Sequence, residues 1–146
     1  MKDSLFRKLI WINVALYVAA ILAVVFATYS PELSTAYENE PLPWLMSIPW
    51  LGGGILFAMA TALIASLVGL YFYKSWARPL ALHSTIIGLV LTPFFGASVS
   101  SGVESALFEA GAMTWGAIVA LSYFSSVSSR FSANNSFKPT PLRGAA

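Results

Sequence analysis

The chain has no cysteine and a single histidine in 146 residues. Disulfides, thiolate metal sites, paired-cysteine redox motifs and a cysteine nucleophile are thereby excluded. One histidine also leaves a zinc site built from this chain alone without its usual ligands. Charge is equally scarce: Asp, Glu, Lys and Arg make up 10% of the residues, against about 25% in an ordinary soluble domain. A soluble protein so poor in charge would lack the polar surface that keeps it dispersed. The formal charge of +2 is too small to suggest a nucleic-acid partner. Nucleotide-loop, serine-elbow, HExxH and kinase signatures are missing, so neither catalysis nor a cofactor is expected. Gly52-Gly53-Gly54 lacks phosphate-loop spacing and reads as a close-packing or flexible entry to a helix.

What the chain has instead is apolar sequence, 58% of it. A helix needs about 20 apolar residues to cross the hydrocarbon core of a bilayer. Four windows meet that length: 9–28, 51–73, 80–97 and 106–124. The third and fourth are interrupted by His83, Pro93 and Glu109. The first begins behind basic residues and passes "VFA" ending at Ala27, which would suit a signal peptidase. Its length exceeds the apolar core of about 7–15 residues in a cleaved signal, which favours an uncleaved anchor. Cleavage would leave three spans.

The basic residues are partitioned. Lys2, Arg7 and Lys8 precede the first window, Lys74 and Arg78 separate the second from the third, and Arg130, Lys138 and Arg143 follow the fourth. The other two connections hold Glu32, Glu38, Glu40 and Glu104 and no basic residue. Basic residues in short loops stay on the cytoplasmic side. The expected fold is therefore all-α: residues 1–125 form a compact bundle of four transmembrane helices, both termini cytoplasmic. Residues 126–146, rich in Ser and Asn, read as a disordered cytoplasmic tail.

The connection from Ser30 to Trp50 carries Pro31, Pro41, Pro43 and Pro49, which argue against a long helix there. Trp44 and Trp50, with Leu42, Leu45, Met46 and Ile48, suit the lipid headgroup level, as do Tyr71, Tyr73 and Trp76 beside Lys74 and Arg78. The first connection can be read as an interfacial anchor or as a lid or partner surface. Small residues four apart recur in each span: Ala15–Ala19–Ala23–Ala27, Gly54–Ala58–Ala62–Ser66, Ser84–Gly88–Thr92–Gly96 and Ala112–Gly116–Ala120. Such ridges let helices approach closely in lipid, where apolar burial drives little association.

Glu109, about one turn inside the fourth window, is the transport candidate, because a carboxylate in a span usually faces protein or water. The plainer reading places it close enough to the interface to reach water. Glu104 suits a helix N-terminus, where the dipole favours negative charge. His83 is either a pH sensor or an interfacial side chain. Asn13 reads as an interhelical hydrogen bonder. Pro93 should kink the third helix and free carbonyls for a cavity or for nothing more than the kink.

The C-terminal "NNSFKPTPLRGAA" resembles a read-through of the recombination site that flanks gene cassettes in bacterial integrons. That resemblance implies a mobile bacterial gene and a tail set by DNA recombination. "LVGLYFYKSWARPLAL" and "GVESALFEAGAMTWGAIVALSYFS" resemble small bacterial inner-membrane proteins of unknown function, and the likeness carries no activity with it. Small multidrug exporters also have four short helices, but they carry a glutamate in the first, and here that window has no acidic residue. The expectation is an inner-membrane protein without catalysis, working by helix packing with itself or a membrane partner. A transporter using Glu109 and an immunity-type protein are the alternatives.

Overall fold

The computed structural model describes residues 3–41, 43–96 and 99–133. Leu42 and the cassette-like tail, 134–146, lie outside the described residues. The elements, in order, are α1 (Asp3–Phe26), α2 (Pro31–Glu38), α3 (Pro49–Tyr71), α4 (Ala77–Leu91) with a 3-10 turn (Thr92–Phe95), α5 (Gly102–Phe124) and α6 (Ser128–Ala133). No strand occurs among the described residues.

Four segments are long and apolar enough to cross a membrane: Ser4–Phe26, Pro49–Tyr71, Ala77–Phe95 and Gly102–Phe124. The 15 residues of α4 rise only about 22 Å as an α-helix. Pro93 removes a backbone donor and tightens the last turn to 3-10 geometry. Because a 3-10 turn rises about 2 Å per residue, the whole segment reaches about 30 Å, the thickness of the hydrocarbon core. Pro93 thus ends and lengthens the third span.

Helix α1 packs along α5, and α3 along α4; the two pairs touch each other only sparsely. They join at one end. There Phe6 of α1 stacks on Tyr73, which follows α3, at 5.9 Å between ring centres, and both meet Phe131 of α6 edge-on at 6.3 and 5.4 Å. Arg7 lies over the rings of Tyr71 and Tyr73, and Arg78 over those of Tyr123 and Phe131. The start of α1, the α3–α4 turn and the end of α5 therefore share one end of the bundle, where every described Lys and Arg lies. The opposite end holds Glu32, Glu38, Glu40 and Glu104. The charge partition of the sequence becomes a polarity of the fold.

Part of the stretch expected to be a disordered tail is ordered. Helix α6 brings Phe131 and, just before it, Val127 into the core, where they are 0% and 1% exposed. Two apolar residues four apart, flanked by serines, gave too short a pattern to register as a helix, and it is the rings of Phe6 and Tyr73 that hold it. Elsewhere the outer surface is apolar, as in Phe57, Val25 and Phe124. Exposure on that scale suits a lipid surround and would be a liability in water.

Candidate functional site

The seam between α1 and α5 carries the buried polar groups. On α5, Glu104, Gly111, Trp115, Ile118 and Ser122 face inward at heptad spacing. Ser101 caps the helix: its hydroxyl accepts from the Glu104 N–H at 3.3 Å, and its own N–H donates to Glu104 Oε2 at 2.6 Å. S-x-x-E is the local signature of this reciprocal capping box, a signal that the dipole reading of Glu104 left unused. The Tyr29 hydroxyl completes the cluster, 2.8 Å from each oxygen of the Glu104 carboxylate, which is 1% exposed. That hydrogen bond, then burial, then the negative charge of Glu104, hold the Tyr29 hydroxyl above its ordinary pKa. Nothing in the sequence marks Tyr29, 75 residues away, as its partner.

Midway along the seam the Asn13 amide donates to the Gly111 carbonyl at 2.7 Å. The Tyr17 ring covers the missing side chain of Gly111 so closely that a Cβ would stand 3.2 Å from it. Asn13 is thus the interhelical hydrogen bonder expected of it, though its Oδ1 is buried without a partner. Nearer the basic end, Trp115 Nε1 donates to Thr85 Oγ1 at 2.8 Å, and Thr85 donates in turn to the Ala81 carbonyl at 2.7 Å, tying α5 to α4.

These polar contacts fix how α5 is rotated, and they turn the ridge read from its sequence outward. Ala112, Gly116 and Ala120 are exposed, and nothing lies within 4 Å of a Cβ on Gly116. The inward line runs one residue earlier. On α3 the ridge is split: Ser66 is buried, Ala62 half-buried, and Gly54 and Ala58 face outward.

Glu109 also faces outward. It sits seven residues, about 10 Å, into α5, exposed and without a described hydrogen-bond partner. It lines neither of the two clefts described here, and neither does Pro93, which lies in the 3-10 turn at the acidic end of the third span. His83 is exposed on α4, its Nδ1 2.6 Å from the Pro79 carbonyl one turn back. No cluster of metal-ligating side chains occurs among the described residues.

The larger cleft, about 910 Å³, opens at the acidic end between Tyr37, Glu38, Met46, Leu56 and Phe95. Gly52 lets the first connection fold over α3, since a Cβ there would stand 2.9 Å from the Leu45 carbonyl oxygen. Leu45 is buried beneath, while Trp44 and Trp50 are 61% and 78% exposed, as an interfacial belt requires. The smaller, of about 430 Å³, is an apolar groove between α4 and α5 in the basic half, lined by Leu82, Thr85, Trp115, Gly116 and Tyr123 among others. No known protein family, curated protein or solved structure matches this chain.

Proposed function

We propose that this is a non-catalytic multi-pass protein of a bacterial inner membrane, both termini cytoplasmic, that works by helix packing with a second copy of itself or with a membrane partner. The observation that carries the reading is the outer half of α3. Gly54, Ala58 and Thr61 form a smooth exposed face beside Phe57 and Ile64, and a Cβ on Gly54 would meet nothing within 4 Å. A small-residue face of this kind gains most from a neighbouring helix at close range, and this chain leaves it uncovered. The gathering of basic residues at one end supports the orientation, and the cassette-like tail supports a mobile bacterial gene as the source.

The absence of native cysteine makes the test direct. A single-cysteine Ala58→Cys variant in native membranes should form a disulfide-linked dimer on oxidation or, once labelled with a thiol-attached photoreactive crosslinker, join one partner, whereas Val25→Cys on the exposed face of α1 should do neither. Failure of Ala58→Cys to cross-link to anything would refute the reading. For orientation, Glu38→Cys should react with an impermeant thiol reagent in intact cells while Ser75→Cys is spared, and the reverse pattern would invert the topology. Glu109 has no part in this proposal, because its carboxylate stands outside both clefts.

A further inference from the structure

We infer that the groove between α4 and α5 is a binding site for an anionic phospholipid, with its phosphate on Arg78 and one acyl chain lying against Gly116 and Trp115. The inference rests on the membrane reading above and is independent of any helix partner on α3. Three observations meet at this place.

First, the groove is almost wholly apolar. The hydrogen-bonding groups on its floor are already engaged: Trp115 Nε1 donates to Thr85, and the Thr85 hydroxyl donates to the Ala81 carbonyl. An occupant of the groove must be apolar along that length. Glycine at 116 and alanine at 120 keep it open on the α5 side, and both are exposed.

Second, Arg78 stands at its mouth. The guanidinium lies 4.6 Å from the centre of the Tyr123 ring and 5.0 Å from that of Phe131, and Tyr123 is itself a wall of the groove. Two aromatic faces fix the fork in place by cation–π attraction, so little side-chain entropy remains to be lost on binding. Its Nε is buried without a hydrogen-bond partner. No described carboxylate pairs with this guanidinium; with Nε buried, the two Nη groups are the donors left for an oxyanion, which a phosphate fits bidentately.

Third, the depth is right. Arg78 is the second residue of α4, at the basic end, which is the level of the cytoplasmic headgroups in the proposed orientation. Basic pockets between spans on that side select anionic headgroups. A zwitterionic lipid would bring an ammonium group to an end whose sequence segments hold Arg7, Lys8, Lys74 and Arg130 against Asp3 as the lone acid.

The test uses the full-length protein reconstituted in vesicles, with Trp11, Trp44, Trp50 and Trp76 replaced by Phe so that Trp115 alone reports. Lipids brominated on the acyl chains quench a nearby indole. Brominated phosphatidylglycerol at low mole fraction should quench Trp115 more efficiently than brominated phosphatidylcholine of the same chains. The preference in Arg78→Gln should fall by about fivefold, the factor that corresponds to about 1 kcal/mol for one basic residue near an anionic surface. Ala120→Leu, an exposed position whose enlargement leaves the Arg78 stack in place, should reduce quenching by both lipids. Inorganic phosphate should not compete, because it has no chain to place in the groove.

Equal quenching by the two lipids, an undiminished preference in Arg78→Gln, or loss of the preference on adding phosphate would each overturn the assignment. So would a Gly116→Cys variant that forms disulfide dimers in membranes, since a second copy would then fill the groove. A chain that fails to insert gives no quenching with any lipid, which separates failure of the membrane reading from failure of the lipid site.

Discussion

The turn between α3 and α4 supplies the sharpest test of the packing. A Cβ added to Gly69 would stand 2.5 Å from the Ala77 Cβ and 2.9 Å from Trp76 Cη2. Non-bonded carbons settle at about 3.5–4.0 Å, so the helices must separate by about 1 Å. The Trp76 indole is 50% exposed and can swing aside, but the Ala77 methyl is fixed to the α4 backbone and fully buried. Separation also pulls on the turn itself, where the Lys74 N–H donates to the Gly69 carbonyl at 2.8 Å. Overpacking costs about 1–3 kcal/mol, and alanine returns at most about 1 kcal/mol of helix propensity. Gly69→Ala should therefore destabilise by about 1–2 kcal/mol. Removing the opposing methyl makes the argument specific. Ala77→Gly alone loses helix propensity, but combined with Gly69→Ala it should restore part of the loss, with a favourable coupling of at least about 0.5 kcal/mol. Reversible unfolding in mixed micelles on titration with SDS, followed by far-ultraviolet circular dichroism, measures all three variants. A Gly69→Ala protein as stable as its parent, or a double variant that is merely additive, would refute the reasoning.

The same assay checks the α1–α5 seam. Glu104→Leu strands the Tyr29 hydroxyl and the Ser101 N–H together, for a loss of about 1–3 kcal/mol. Tyr29→Phe should cost less, because Glu104 still caps Ser101, and equal losses would contradict that ordering. Tyr29 also makes stability depend on alkaline pH. Its pKa is raised from 10.0 in the folded state, so its contribution is complete below that value and is lost as the pH climbs through the raised one. Tyr29→Phe should flatten that part of the pH profile, and an unchanged profile would remove the link. Asn13→Leu should cost little, since a hydrogen bond between spans averages about 0.6 kcal/mol and the unpaired Oδ1 disappears with it. Asn13→Ala leaves a void and should cost more; the opposite order would mean that the Asn13 amide is worth more than its single bond.

How far the sequence reaches is clearest helix by helix. Span number, approximate bounds and the two charged ends were legible, because the bilayer imposes a length on each apolar run and charge is expelled to its margins. Glu104 at a helix start was legible too, since the dipole favours a carboxylate in the first turn. The rotation of α5 was not. Ala112–Gly116–Ala120 and the line through Gly111 differ by one residue, and composition does not separate them. What decides is tertiary: Asn13 reaches the Gly111 carbonyl, Trp115 reaches Thr85, and Glu104 reaches Tyr29, each across a large gap in sequence.

The sequence by itself thus determined that this chain makes four spans with a basic and an acidic end, because those properties follow from the chain's interaction with its surroundings, one segment at a time. Only the tertiary structure decided which faces meet. In lipid all apolar faces are nearly equivalent, so a few buried hydrogen bonds and close glycine contacts set the choice. The same choice turned Glu109 outward, left the Gly54–Ala58 face bare, and opened the groove beneath Arg78.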